Sequence, residues 1–419
     1  MMRIKSYLKK NRIALIVCGV MSIIAFSLLL ASMVVAKHTP EPIQIHDEQG
    51  LNDINKNLNG YYIIKNDITI TDKLQQIGDE EHPFTGTIVG TYYRLLNFKL
   101  GVNTTIETGN VNKMSWIPNN KGILYGITLN IDKDFNFSTS KNVSFGLFCH
   151  DNYGKITNCS INSPYSITGQ SVFGGSFCAN NYGDIRKCFS ESNVKATSTE
   201  GDCIIGAFTG SLHPNSIIEM SRSSFWPKAF SESANSSLTA LGGFVGISMG
   251  GSIVNCYSRA NVQTKSLSFD SFSASFIGIV SGEMSTIIDK CCSFNNSDMI
   301  LSESKSGGGV SCSSGGVCLV KENARLVISN SLMATKAYSQ SSSGKAFSGY
   351  FLTLKNDNST VSANNCYYIN KGFDLSPSRC ELDIEFGYAA SFDKLSLRTL
   401  NWDSQIWAID SNGIIGFIV

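Results

Sequence analysis

The sequence predicts an all-β fold, a parallel β-helix, on three observations. The first is a repeat. Between residues 145 and 370 the chain returns, about every thirty residues, to a Gly-aromatic phrase, a polar turn and an Ile-x-x-Cys phrase. Phe145-Gly146-Leu147-Phe148-Cys149 leads to Ile156-Thr157-Asn158-Cys159-Ser160, and Gly174-Gly175-Ser176-Phe177-Cys178 leads to Ile185-Arg186-Lys187-Cys188-Phe189. Both cysteines recur 29 residues on. A fixed period means units that bury their apolar faces only by stacking on one another. The second is composition: 37 glycines against 8 prolines, with abundant Ser and Asn, suit many tight turns between short strands. The third is a further short apolar run after the Cys phrase, as in Ala260-Asn261-Val262, which predicts three strands per turn of the stack.

Taken in order, the elements begin with a targeting segment. Arg3, Lys5, Lys9, Lys10 and Arg12 make residues 1–12 a basic cytoplasmic stretch. Residues 13–36 form an uncharged apolar run of 24 residues, roughly 36 Å as a helix and enough to cross a hydrocarbon core of about 30 Å. The basic residues ahead of it predict that everything after Lys37 lies outside the cell. The length fits a retained transmembrane signal anchor better than a cleaved signal peptide, whose apolar region spans about 7–15 residues; Val34-Val35-Ala36 would be the cleavage site of the latter. The body is thus expected to be extracellular, on a single membrane pass, or secreted.

Residues 37–46 are a stem carrying Pro40 and Pro42. A short helix follows from Asp47 to Leu58, capped by Asp47, with Leu51, Ile54 and Leu58 on one face. Tyr61 to Ile70 reads as a strand, residues 102–119 as an excursion, and Gly122 to Ile131 as the first regular rung. The stack is expected over residues 47–390. Ala207-Phe208, Gly243-Phe244-Val245-Gly246, Phe276-Ile277-Gly278 and Phe351 continue the phrase, which blurs at 200–240 and 300–345 and leaves the coil register there open. Residues 306–309, 315–316 and 339–344 read as loops. Residues 391–419 are expected to cap the stack: a short helix at 391–400, Trp402 and Trp407, then a hairpin at Asn412-Gly413. Capping is needed because an open end exposes unpaired strand edges.

Twelve of the 13 cysteines follow the apolar run. Equivalent residues of adjacent coils sit about 4.8 Å apart, within the span a disulfide accepts. Cys149 with Cys178, and Cys159 with Cys188, are therefore candidate disulfides or stacked buried thiols, the latter preferred because Cys packs as a small hydrophobe. No spacing is a paired C-x2-C zinc arrangement.

These phrases resemble the GLUG-motif repeats of bacterial surface and secreted proteins. Gly243 to Gly246 with Gly250 to Ser258 carries the resemblance, and Phe145–Ser160, Gly174–Ser190, the lead-in Leu58 to Tyr62 with Phe84-Thr85-Gly86-Thr87, and the close Trp407 to Asp410 extend it. The resemblance implies a right-handed parallel β-helix displayed outside the cell, often within an adhesin or beside a peptidase domain.

No motif carries chemistry. Gly246-Ile247-Ser248-Met249-Gly250 has the form of a nucleophile elbow, but none of the five histidines follows Ser248, which holds the turn position of Asn152 and Asn181. The H-E-x-x-H of zinc peptidases is absent. Asp132, Asp134 and Asn136 have calcium-loop spacing without its Gly and Glu, so a solvated turn is the reading. Asn158, Asn255 and Asn365 precede the Cys position and read as amides stacked at a corner. A net charge of +1 with no basic stripe argues against nucleic acid. Catalytic, cofactor and metal sites are expected to be none. The expected function is adhesion or binding of a glycan or protein ligand at a host or cell surface, with the membrane as partner through 13–36. The alternatives are a polysaccharide lyase or glycoside hydrolase, for which Asp184, Glu219, Glu283, Asp289, Asp298, Lys290 and Arg186 are the scattered candidates, and a structural stalk.

Overall fold

A single coil shows how the chain is laid down. Lys155–Thr157 runs on a first sheet, Ser160–Asn162 and Tyr165–Gly169 on a second, Val172–Gly175 and Cys178–Asn181 on a third, and Asp184–Arg186 then returns to the first. Repetition builds parallel sheets of 11, 16 and 15 strands among the described residues. The computed structural model describes residues 41–368 apart from 163, 192, 226–227, 232–237, 268–269, 306–308 and 343–344, together with 387–388, 397–409 and 415–417. Residues 44–419 form one unit, the solenoid; residues 1–43 form another. The predicted transmembrane segment 13–36 lies outside the described residues, among which no helix is long and apolar enough to cross a membrane.

The coils have three faces but five strands rather than three, or four where one face is a single strand, as at Asn142–Asn152, Cys292–Ser304 and Leu332–Ser341. The expected third apolar run is split, because the second and third faces each bend midway. A bend lets a narrow coil enclose its side chains without a long flat edge.

The core is a set of columns that climb the stack. On the first sheet Tyr62, Ile88, Leu124, Ile156, Ile185, Ile218, Ile253, Ile288 and Ile328 are successive register partners. All are buried. On the third sheet Phe148, Phe177, Phe208, Phe244 and Phe276 stack with ring centroids 4.8–5.3 Å apart. That spacing is close to the strand spacing itself, about 4.8 Å, so each ring meets its neighbour face to face simply by occupying the same rung position. Such contacts contribute about 0.5–1.5 kcal/mol per pair beyond area burial. The first-sheet register through 200–240 and 300–345, unreadable in the sequence, continues its column without a slip, while on the second sheet the pairing of Cys292–Ser304 with Leu332–Ser341 shifts between Phe294 and Met299.

The corner between the first and second sheets explains the Cys phrase. Gly126, Asn158, Lys187, Met220, Asn255, Lys290, Asn330 and Asn365 all have φ of 48–64°, the left-handed region. Asn tolerates it better than most residues, which accounts for its recurrence there. Among the described residues one amide pair reaches along the column, Asn365 Nδ2 to Asn330 Oδ1 at 3.0 Å. Just past the corner sit Cys159, Cys188, Cys256, Cys291 and Cys366, whose thiols point at the carbonyl two residues back at 3.2–3.3 Å and at one in the preceding coil at 3.4–3.7 Å. Ser221 and Ser331 take the same place and bond the same carbonyl at 2.9 and 2.6 Å.

At the N-terminal end a helix at Glu48–Asn52 continues as a 3-10 turn at Asp53–Lys56. The Asp47 carboxylate accepts from the Gly50 amide at 2.8 Å, as a cap should. Tyr61 to Ile70 breaks into Tyr61–Ile64 and Ile68–Thr69 at a corner. Residues 102–119 are no excursion: Thr105–Thr108 and Val111–Asn120 form an antiparallel hairpin, and the latter joins the third sheet beside Asn142–Asn152. Gly316 belongs to the stack, since Val317 is a register partner of Ile277 and Leu352, and Ser339–Ser341 lie within the strand Leu332–Ser341. Of the predicted helix at 391–400, residues 391–396 lie outside the described residues and 397–400 form a turn. Trp407–Ile409 and Ile415–Phe417 pair antiparallel, and with Leu400 and Trp402 they bury against Tyr257, Cys292 and Leu332 on the outside of the second sheet. Trp402 Nε1 donates to the Asn330 carbonyl at 2.6 Å.

Candidate functional site

The third sheet makes a second interior of its own. Its two strands per coil meet at a bend where Gly146, Gly175, Gly206 and Gly242 are register neighbours. A Cβ on Gly206 would lie 1.9 Å from the Thr209 carbonyl oxygen, so the turn there requires glycine. The bend turns the outward faces of the two strands toward each other, forming a cleft along the solenoid axis.

One wall carries, coil by coil, Lys113, Ser144, Phe173, Ile204, Ala240, Phe272, Cys312 and Phe347. The facing wall carries Asn119, Asp151, Asn180, Ser211, Ile247, Ile279, Leu319 and Leu354. Downstream the walls pack into one apolar cluster with Ala240, Phe272, Ile279, Cys312, Cys318 and Leu319 buried in it. Upstream the facing wall is polar, while the first wall mixes Lys113 and Ser144 with Phe173 and Ile204. From Asn142–Asn152 onward the register is unbroken, so the change along those coils is one of side chains; against the preceding strand Val111–Asn120 it shifts between Gly146 and Cys149.

The polar half is a continuous hydrogen-bonded line. Ser144 Oγ lies 2.8 Å from His150 Nε2, and His150 Nδ1 lies 3.2 Å from Asp151 Oδ1. Asn180 Nδ2 donates to the same Asp151 oxygen at 2.7 Å, Ser211 Oγ donates to Asn180 Oδ1 at 2.7 Å, and His213 Nε2 is 2.8 Å from Ser211 Oγ. An ionised carboxylate only accepts, so the neutral His150 ring carries its proton on Nδ1 and leaves Nε2 to accept from Ser144. Burial raises the pKa of Asp151, but the hydrogen bond from His150, the Asn180 amide and the Lys113 ammonium outweigh it and hold the carboxyl below its usual range. Burial lowers the pKa of His213, against the opposing pull of Asp151. His150 is 6% exposed, whereas Ser144, Asp151 and Asn180 are half-buried.

Beside the cleft an aromatic column rises at the solenoid edge. Tyr153 stacks on Tyr182 at 4.5 Å and Tyr182 on His213 at 3.9 Å, with the Lys121 ammonium 5.9 Å from the Tyr153 ring centre. Tyr153 is 48% exposed. Beneath them Asn120, Asn152 and Asn181 form a buried amide ladder at 2.7 and 2.8 Å.

The residues singled out in the sequence fall elsewhere. Cys149 and Cys178 are register partners, and Cys159 and Cys188 immediately precede the partners Ser160 and Phe189. All four are free, buried thiols. Burial pushes Cys149 and Cys188 well above the usual thiol range, so they are neither thiolate nucleophiles nor ready metal ligands. Ser248 is fully buried, register partner of Leu212 and through it of Asn181, and bonded to the Gly250 carbonyl and to Thr286 Oγ1. Asp132 folds its carboxylate onto the Asp134 amide at 3.0 Å, a local turn. Arg186 is held between Asp184 and Glu219, so these two carboxylates share one guanidinium rather than flanking an open site. Asp289 accepts from Ser329 and Asn330. Glu283 lines a shallow groove with Arg186 and Arg325, and the Asp298 side chain lies outside the described residues.

Sequence reasoning missed the Ser144–His150–Asp151 line. The one signal was His150-Asp151 itself: it stands where later copies carry Ala179-Asn180, Gly246-Ile247 and Cys318-Leu319.

The chain carries the GLUG motif: the model of that family matches residues 237–263. Among solved structures the chain is similar to a Bacteroides ovatus protein provisionally named an immunoglobulin A1 protease, at 14% identity and a TM-score of 0.43, over 90% of this chain and 92% of that one. It is also similar to a structure named IgA1 Protease, at 12% identity and a TM-score of 0.39, over 80% of this chain and 22% of that one. Likenesses at this level carry no activity over to this chain. No curated protein matches the chain.

Proposed function

We propose that this chain is a β-helix displayed on the cell surface through residues 13–36, and that it binds an extended, hydroxyl-rich ligand, a glycan, along the upstream half of the third-sheet cleft. The observation that supports this most is the change of chemistry on an unchanged strand register. Where the cleft serves the fold, Phe272, Ile279 and Leu319 fill it. Where it does not, it holds Asp151, Asn180 and Ser211 in fixed orientations, beside the exposed edges of Tyr153 and Tyr182. Few convergent polar groups beside aromatic surface are what a ligand site presents. With only 16% of its residues charged, the chain suits a neutral polymer better than a polyanion.

The test is retention of the full chain, in detergent, on an array of host and bacterial glycans beside immobilised matrix proteins. Retention on a glycan class, reduced tenfold or more by Asn180→Leu and unchanged by Lys290→Ala on the far corner, is the expected result. Retention only on proteins would replace the glycan by the protein ligand. No retention on either surface would sink the binding reading.

A further inference from the structure

We infer that Ser144 is a nucleophile activated by His150 and oriented through Asp151, and that the upstream cleft hydrolyses a carboxylic ester. The inference deepens the binding reading of the same cleft. It rests on connectivity, atom by atom. Ser144 Oγ faces the Nε2 of His150 at 2.8 Å, and the Nδ1 of the same ring faces a carboxylate oxygen at 3.2 Å. This is the order in which a serine hydrolase joins nucleophile, base and orienting acid, and such constellations are recognised by geometry and role rather than by chain position. Asp151 is further fixed by the Asn180 amide, so the ring it orients has little freedom to turn. A purely structural role would not need this composition: the corresponding trio farther along the cleft is Cys312, Cys318 and Leu319, which fills the same space with apolar contacts.

The step balances without any co-reactant but water. Ser144 Oγ bonds to the ester carbonyl carbon while its proton passes to His150 Nε2, and the carbonyl oxygen takes the negative charge. The intermediate collapses, the carbon–oxygen bond to the alcohol breaks, and the alcohol leaves with the proton from His150. Water then attacks the acyl-serine, gives a proton to His150, and releases the carboxylic acid as Ser144 regains its proton. Lys113 is the register partner of Ser144 on the preceding rung, but its ammonium is ion-paired with Glu80, so it is not a free cation for the developing oxyanion. The amides of Leu147, Phe148 and Cys149 at the bend are committed to Ser176 and Phe177 carbonyls. With the Lys113 ammonium committed to Glu80 and these bend amides committed to carbonyls, oxyanion stabilisation is weak and the site suits an ester rather than the less reactive amide.

The experiment treats the full chain with a fluorophosphonate and locates the adduct by mass. The expected result is phosphonylation of Ser144, absent in Ser144→Ala and slowed at least about 100-fold in His150→Gln, the range a general base supplies. No adduct at Ser144 in a chain with an intact β circular-dichroism spectrum, or equal rates with and without His150, overturns the proposal. Should His150→Gln not fold, p-nitrophenyl acetate turnover by the wild type against Ser144→Ala decides: equal rates overturn it, and a rate lost with Ser144 supports it. Glycan retention by Ser144→Ala separates the two readings. Retention without turnover leaves binding standing whatever the serine does, and turnover without retention removes the glycan assignment alone.

Discussion

The upstream and downstream halves of the third-sheet cleft share one strand register from Asn142–Asn152 onward and differ in the side chains they place on it. Downstream, Ala240, Phe272, Ile279, Cys312 and Leu319 turn the outside of a sheet into a small second core. Upstream, Ser144, His150, Asp151, Asn180 and Ser211 hold one another by hydrogen bonds in the same register. A parallel sheet ordinarily needs cover on both faces. This solenoid covers the second sheet with Trp402 and Trp407, and the downstream third sheet with its own bend. The upstream cleft is the part of that covering which was built from polar groups. The comparison teaches that in a repeat fold the informative coil is the one that departs from the column, because the column alone would satisfy the fold.

The largest effect should come from importing upstream chemistry downstream. Ile279→Asp puts an unpaired carboxylate at a position with no exposure, and should cost about 4 kcal/mol or more, read as a collapse of the urea midpoint. A loss below about 1 kcal/mol would mean the downstream cleft is open to water. Next, Phe272→Ala should cost about 3–5 kcal/mol in the same assay, as a buried ring does. Phe173→Ala, the half-buried residue on the same wall upstream, should cost about 1 kcal/mol; equal losses would erase the distinction between the halves. The reverse exchange, Asn180→Leu, should cost about 1–3 kcal/mol, since Asp151 loses a donor and Ser211 an acceptor. If it stabilises the chain, the polar line is not a network.

Within the cleft, acid should loosen the upstream half. His213 and Asp151 both have folded pKa values lowered from their ordinary ones. For each, the unfolded chain binds the proton more readily, so stability is fully present above the unfolded value and declines as pH falls through the folded one. The decline should begin below about 6.5, from His213, and resume below about 3.9, from Asp151. Melting temperatures against pH check this: His213→Gln should remove the first step and Asp151→Asn should shrink the second, to which Asp53, Asp67 and Asp79 with their lowered pKa values also contribute, while a first step of unchanged size in His213→Gln would refute the assignment. The smallest effect belongs to a control outside the cleft. Cys256→Ser should change stability by less than about 1 kcal/mol, because Ser221 and Ser331 already hold that corner with the same carbonyl bond.

Much of the fold could be read from the chain. The Phe148 and Phe177 phrases do stack, Asp47 does cap a helix, and Trp407–Ile409 does pair with Ile415–Phe417, the predicted turn at Asn412-Gly413 itself lying outside the described residues. Each is a local or strictly periodic feature, so spacing in the sequence becomes spacing in space. Where insertions changed the coil length, periodicity could no longer count rungs, and only the pairing of Ile185, Ile218 and Ile253 fixed the register. The Cys phrase was visible, but its cause was not: a left-handed corner whose carbonyls take a thiol or hydroxyl.

By itself, then, the sequence determined a parallel stack of coils, its repeat, and which residues line the inside, because burial and strand spacing act on every coil alike. Only the tertiary structure decided what happens outside. The bend at Gly146 carries Ser144 across to His150, and the hydrogen bonds of the next coil fix Asp151 from Asn180. Those contacts depend on the angle between two strands and on the neighbour one rung away, and neither quantity is written in the order of the residues.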